Sequence, residues 1–137
     1  MPAKVRTFRD LVAWQRGMDL ARAIYNVIKR VPTEERFALA GQMWRAAYSI
    51  PSNIAEGYAR QSRKDYLKHL RIARGSLAEL WTQFELVVGL KIIPLNQHVQ
   101  SLLEEEDRIL QFLIMSLEKK SREEAQAKGR TRANARS

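Results

Sequence analysis

Ser62-Arg-Lys-Asp-Tyr-Leu-Lys-His-Leu-Arg-Ile-Ala-Arg-Gly-Ser-Leu-Ala-Glu-Leu-Trp-Thr-Gln-Phe-Glu-Leu-Val-Val-Gly-Leu90 is the stretch that decides the fold. Tyr66, Leu70, Ala73, Leu77, Leu80, Trp81, Phe84 and Val88 recur at helical spacing, which lays one apolar face along more than six turns. At 1.5 Å per residue the segment is a rod of about 43 Å. Ser62, with Asp65 three residues on, resembles a capping box, and Gly89 and Pro94 punctuate the far end. Opposite the apolar face, Arg60, Lys64, Lys68 and Arg71 fall within about 80° of one another, and Arg63 and Arg74 widen the stripe. Between residues 60 and 74 there are six bases and one acid, so the rod is apolar inside and cationic outside.

The flanking sequence repeats the helical pattern. A first helix is expected over Phe8–Lys29, with Leu11, Trp14, Met18, Ala21, Tyr25 and Ile28 on one face. A second stripe, Ala13, Leu20, Ile24 and Val27, is more than one bundle core needs, and it suggests deep burial or contact with another subunit. The second helix starts at Thr33 and fades by Arg60 or Gln61, with Phe37, Ala40, Trp44, Ala47, Tyr48, Ile54 and Ala55 expected to be buried. Pro51 lies inside it and predicts a kink or short break. A fourth helix from about Asn96 carries a seam of Val99, Leu103, Leu110, Leu113 and Leu117. Long helices with short connections and no hairpin signal predict an all-α protein, an antiparallel up-down four-helix bundle. From Ser121 no large apolar residue remains, so residues 1–120 are expected to form the bundle and 121–137 a disordered basic tail.

Composition narrows the function. The 137 residues fit one domain, and 24 basic against 15 acidic residues give a net charge of +9 that suits a polyanionic partner. The absence of cysteine removes disulfides, thiolate metal sites and thiol nucleophiles. His69 and His98 lack metal-ligand spacing and read as surface histidines, so no metal and no cofactor are expected. The longest uncharged run, residues 92–103, falls short of the roughly 18 residues a membrane span needs, and the expectation is a cytoplasmic protein without a membrane partner. No phosphate-binding glycine loop or nucleophile elbow occurs, so no catalytic residue and no small-molecule substrate are expected. Glu106 falls on the inner seam of the fourth helix, where it either pairs with a cation, Arg45 being one candidate, or stays wet at a widened bundle end.

Three segments carry a family resemblance: Phe8-Arg-Asp-Leu-Val-Ala-Trp-Gln15, Gln42-Met-Trp-Arg-Ala-Ala-Tyr-Ser-Ile-Pro-Ser-Asn-Ile-Ala-Glu-Gly57 and Tyr66-Leu-Lys-His-Leu-Arg-Ile-Ala-Arg-Gly-Ser-Leu-Ala-Glu79. With them the chain resembles the bacterial 23S rRNA intervening-sequence proteins over roughly residues 8–118, residues 49–57 being the most specific piece. The resemblance implies a four-helix bundle, ring-like homo-oligomers with five-fold symmetry, and no established enzymatic activity. It also brings in distantly similar accessory proteins of diversity-generating retroelements, which bind nucleic acid and a reverse transcriptase.

The expected nucleic-acid contacts, RNA or DNA, are Arg60, Arg63, Lys64, Lys68, Arg71 and Arg74, helped by Arg130, Arg132 and Arg136 of the tail. Leu20, Ile24, Val27 and the outward Ile72 are the expected oligomer interface. A homo-oligomeric scaffold with a protein partner is the alternative. An enzyme using Glu56 with Glu79 is a distant third, and Asn53, Glu56, Gly57, Ser76 and Glu79 read as structural.

Overall fold

The computed structural model describes residues 4–136, and the side chains of residues 35–37, among them the expected core residue Phe37, lie outside that description. Four long helices and no strand make up the described residues: α1 (Val12–Ile28), α2 (Gly41–Ala59), α3 (Arg63–Gly89) and α4 (Gln97–Arg136). A 3-10 turn, Phe8–Asp10, leads into α1 through a capping box, in which Thr7 accepts from the Arg9 backbone and Asp10 accepts from the Thr7 backbone. Ser62 caps α3 by accepting from the Asp65 backbone, and Asn96 caps α4 by accepting from Val99 at 3.1 Å. The α3 C-terminus closes with Lys91 at φ 61°, where the Lys91 and Ile92 amides donate back to Val88 and Val87. That is a Schellman closure built on a lysine instead of the usual glycine.

Each helix packs against the next, and α4 returns to pack against α1. Ser49 meets Ser76 and Asn53 meets His69, so residue numbers fall along α3 as they rise along α2. The core holds Leu20, Ile24, Met43, Ile50, Ile54, Leu70, Leu77, Leu80, Phe84, Leu103 and Leu110, all essentially removed from water. At about 0.8 kcal/mol per buried methylene, this interior dominates the folding free energy.

Several expectations change. Leu20, Ile24 and Val27 lie in the chain's own core, because α1 faces both α2 and α4 and needs a wide apolar face. They are covered within one protomer and cannot be the oligomer interface. Trp44, Tyr48 and Tyr25 are exposed, and Met43, Ala46 and Ile50 join the expected Ala47 and Ile54 in the α2 core. The helix continues through the buried Pro51 without a break, and the irregular turn is a π-helical stretch at Arg36–Ala40. The expected disordered tail is helical: α4 runs on to Arg136 with side chains 122–136 exposed. The segment is rich in Ala, Glu, Gln, Lys and Arg, which favour helix without tertiary contacts, and Arg63 ties its first turns to α3 through Glu124.

Candidate nucleic-acid interface

The stripe of Arg60, Arg63, Lys64, Lys68, Arg71 and Arg74 does face outward, but carboxylates of the same chain meet four of its six cations. Arg60 binds Glu56 at 3.0 Å, Arg63 binds Glu124 at 2.6 Å, Arg71 sits 3.6 Å from Glu118, and Arg74 sits 3.3 Å from Asp107. The close Arg63 contact holds the Glu124 carboxyl below its ordinary range and raises the Arg63 guanidinium above its own. Pairing therefore blunts the stripe expected from α3 alone. Arg60 caps the end of α2 and meets Glu56 one turn earlier, a pairing the sequence itself displays, whereas Glu124, Glu118 and Asp107 come from α4, whose register against α3 the sequence does not display.

What remains is narrower and better placed. Lys64 and Lys68 are exposed and make no ion pair among the described residues. Lys64 lines a groove of about 410 Å³ between α3 and α4 with Arg63, Leu67, Arg71, Ser121, Glu124 and Lys128. One turn past Glu124, Lys128 continues the α3-facing row of α4, and Arg132 and Arg136 follow at intervals of four. Beyond the capped start of α3 that row projects into solvent, with Arg130 beside it. The result is a groove edged by lysines that leads onto a bare cationic helix.

Glu106 is wholly buried on α4, and among the described residues neither carboxyl oxygen has a hydrogen-bond partner. Neither expected outcome occurs: it is not wet, and Arg45 is exposed and bonded to Gln42. Gly17 makes the space, since a Cβ there would stand 2.7 Å from Oε2. Burial pushes the Glu106 carboxyl up to about 8; neighbouring Glu105 adds to this, and Arg16 opposes it. Arg16 is itself held by Asp19 at 2.8 Å and Glu105 at 2.9 Å.

The segment 49–57 builds a polar chain across the α2–α3 interface. Ser76 and Ser49 hydroxyls share a hydrogen bond of 2.9 Å, Asn53 Nδ2 donates to Ser49 Oγ and O, and Asn53 Oδ1 lies 3.1 Å from His69 Nδ1. His69 is thus mostly buried, contrary to the surface reading, and it seats over Gly57, where a Cβ would stand 2.5 Å from the His69 Cβ. Burial also pushes the neighbouring Tyr66 phenol up to about 12. Glu56 bonds Arg60, whereas Glu79 bonds Gln83 about 15 Å further along α3 than His69, at 1.5 Å per residue. The two carboxylates do not converge. Among the described residues no group of three acidic or histidine side chains could hold a metal ion, and no helix is long and apolar enough to cross a membrane. Ile72 is exposed.

Four long helices, each packed against the next, place the chain in the four-helix-bundle class of all-α proteins. Within that class, the chain belongs to the 23S rRNA-intervening sequence protein family, whose model matches residues 9–115. It is similar to a crystallised protein of unknown function from the S23 ribosomal protein family of Bacteroides thetaiotaomicron. The two are 27% identical with a TM-score of 0.67, over 76% of this chain and 96% of that one. No curated protein matches the sequence.

The outward ring cluster, Tyr25 against Trp44 at 5.4 Å and Trp44 against Tyr48 at 5.5 Å, went unread in the sequence. A signal exists: Trp44 and Tyr48 are spaced by four and flanked by Gln42 and Arg45, which puts polar neighbours beside an aromatic pair.

Proposed function

We propose that this protein is a non-enzymatic, cytoplasmic, homo-oligomeric up-down bundle that binds RNA without sequence preference. The observation that carries the reading is the α3–α4 groove, lined by Lys64 and Lys128, with the exposed Lys68 one turn further along α3 and the exposed Arg130, Arg132 and Arg136 continuing from Lys128. Cations without carboxylate partners lie along one line, which suits a phosphate backbone, and no constellation for reading base edges accompanies them. Arg60, Arg63, Arg71 and Arg74 play a lesser part, because each must first leave its carboxylate. A titration of generic RNA between about 50 and 200 mM salt should show affinity falling steeply with salt, and Lys64→Gln with Lys128→Gln should flatten the slope. Absence of binding at the low end refutes the reading.

The scaffold alternative has its own observation. Phe112 is 72% exposed, and with Val12 and Val5 it edges an apolar groove of about 610 Å³ between the N-terminal turn and α4. In that reading a ring, five-fold as the family resemblance implies, closes here and not on Leu20, Ile24 and Val27. Phe112→Glu should then lower the assembly mass in light scattering while leaving helicity intact.

A further inference from the structure

We infer that the outer seam between α1 and α2 is a second nucleic-acid site, one that stacks the unpaired bases of a single strand. Along this seam Phe8 contacts Trp14 at 5.3 Å between ring centroids. Trp14 and Met18 then face Trp44 and Tyr48 across a groove of about 330 Å³ floored by Ala21, Pro51 and Ala55. Tyr25 continues the row beyond Trp44. Tyr25, Trp44 and Tyr48 are 49%, 37% and 43% exposed, an unusual allocation of large rings in a bundle whose core α2 already fills with Met43, Ala46, Ala47, Ile50 and Ile54. From Trp14 to Tyr25 along α1 the row runs about 17 Å at helical rise, long enough for a few nucleotides.

The charge pattern selects the occupant. Arg9 lies 4.6 Å over the Phe8 ring and Lys29 lies 4.7 Å over the Tyr25 ring. Arg22 lines the groove, and Arg45 is exposed beside Trp44. Among the described residues Asp19 pairs with Arg16 and Arg22, so Arg22 is partly neutralised, and Asp10 accepts from the backbone amides of Arg6 and Thr7. Rings interleaved with cations are the arrangement that binds single strands, since every base has a π-face and every linkage a negative charge. An apolar protein partner would gain nothing from the cations. A duplex keeps its bases stacked on each other and so cannot use the rings. Because α1–α2 and α3–α4 form opposite edges of the bundle, the two sites can be perturbed separately.

This inference rests on the nucleic-acid reading above, and the test separates the two. Fluorescence anisotropy of the full chain with short poly(A) RNA and with an RNA duplex is to be measured for the wild type, Trp44→Ala, Tyr48→Ala and Trp44→Phe. Each alanine variant is expected to weaken poly(A) binding about tenfold, with the duplex unchanged and Trp44→Phe close to wild type. Tryptophan emission should be quenched by the single strand and not by the duplex, a readout on the unmodified protein that holds even if Trp44→Ala unfolds. Equal affinity changes for both RNAs, unchanged poly(A) affinity in the alanine variants, or an altered assembly mass with RNA binding intact each overturn the inference. Failure to bind either RNA removes the α3–α4 reading as well.

Discussion

Substituting Glu106 with Gln tests the core where it is most exposed to pH. The carboxyl is removed from water, lacks a partner, and ionises near 8 in the folded chain against 4.5 ordinarily. Between those values the unfolded chain releases the proton and the folded chain keeps it, so stability falls as pH rises. The slope is about 1.4 kcal/mol per pH unit, on the order of 4–5 kcal/mol across the window, and it levels off above it. That is a large part of the roughly 5–15 kcal/mol a small domain has in total. Gln keeps the shape of the protonated acid and does not titrate. Urea melts followed by circular dichroism from about pH 5 to 9 should show the variant near wild type at the acid end and several kcal/mol more stable at the alkaline end. The difference between the two proteins cancels every other titrating group. A difference that stays flat across the range would refute the assignment of Glu106 as a neutral, buried acid.

Three further substitutions probe the packing. Gly57→Ala brings a Cβ within 2.5 Å of the His69 Cβ, too close to the adjoining helix to relax freely, and should cost about 1–3 kcal/mol in a urea melt. Gly17→Ala should destabilise the wild type through the 2.7 Å approach to Glu106, yet in a Glu106→Ala background the better helix propensity should make it stabilising by about 0.5–1 kcal/mol; simple additivity in the double-mutant cycle would contradict this. Lys91→Gly removes the left-handed strain at the end of α3 and should raise stability by up to about 1 kcal/mol, read as a higher melting temperature.

The four long helices were legible because helical periodicity is local. The Ser62 cap appeared where its spacing to Asp65 put it, and the apolar face of residues 66–88 is the α3 core with small rotations, Leu67 and Val87 lying deeper than Tyr66 and Val88. The oligomer interface on α1 was misread because a stripe's depth depends on how many neighbours cover it. The same ambiguity placed Trp44 and Tyr48 inside, since periodicity fixes relative angle and not which side meets the bundle. The tail differs for another reason: a segment without a buried face can still be helical, and its Ala, Glu, Lys and Arg content favours helix alone.

The chain by itself therefore determined four amphipathic helices, an excess of positive charge and the family to which residues 9–115 belong, because propensity, period and composition are carried by near neighbours. Only the tertiary structure decided which charges stay available and which acids go without partners. Arg63 meets Glu124 and Glu106 faces Gly17 across separations of 61 and 89 residues, and a contact over such distances exists only once the helices have settled their register against one another.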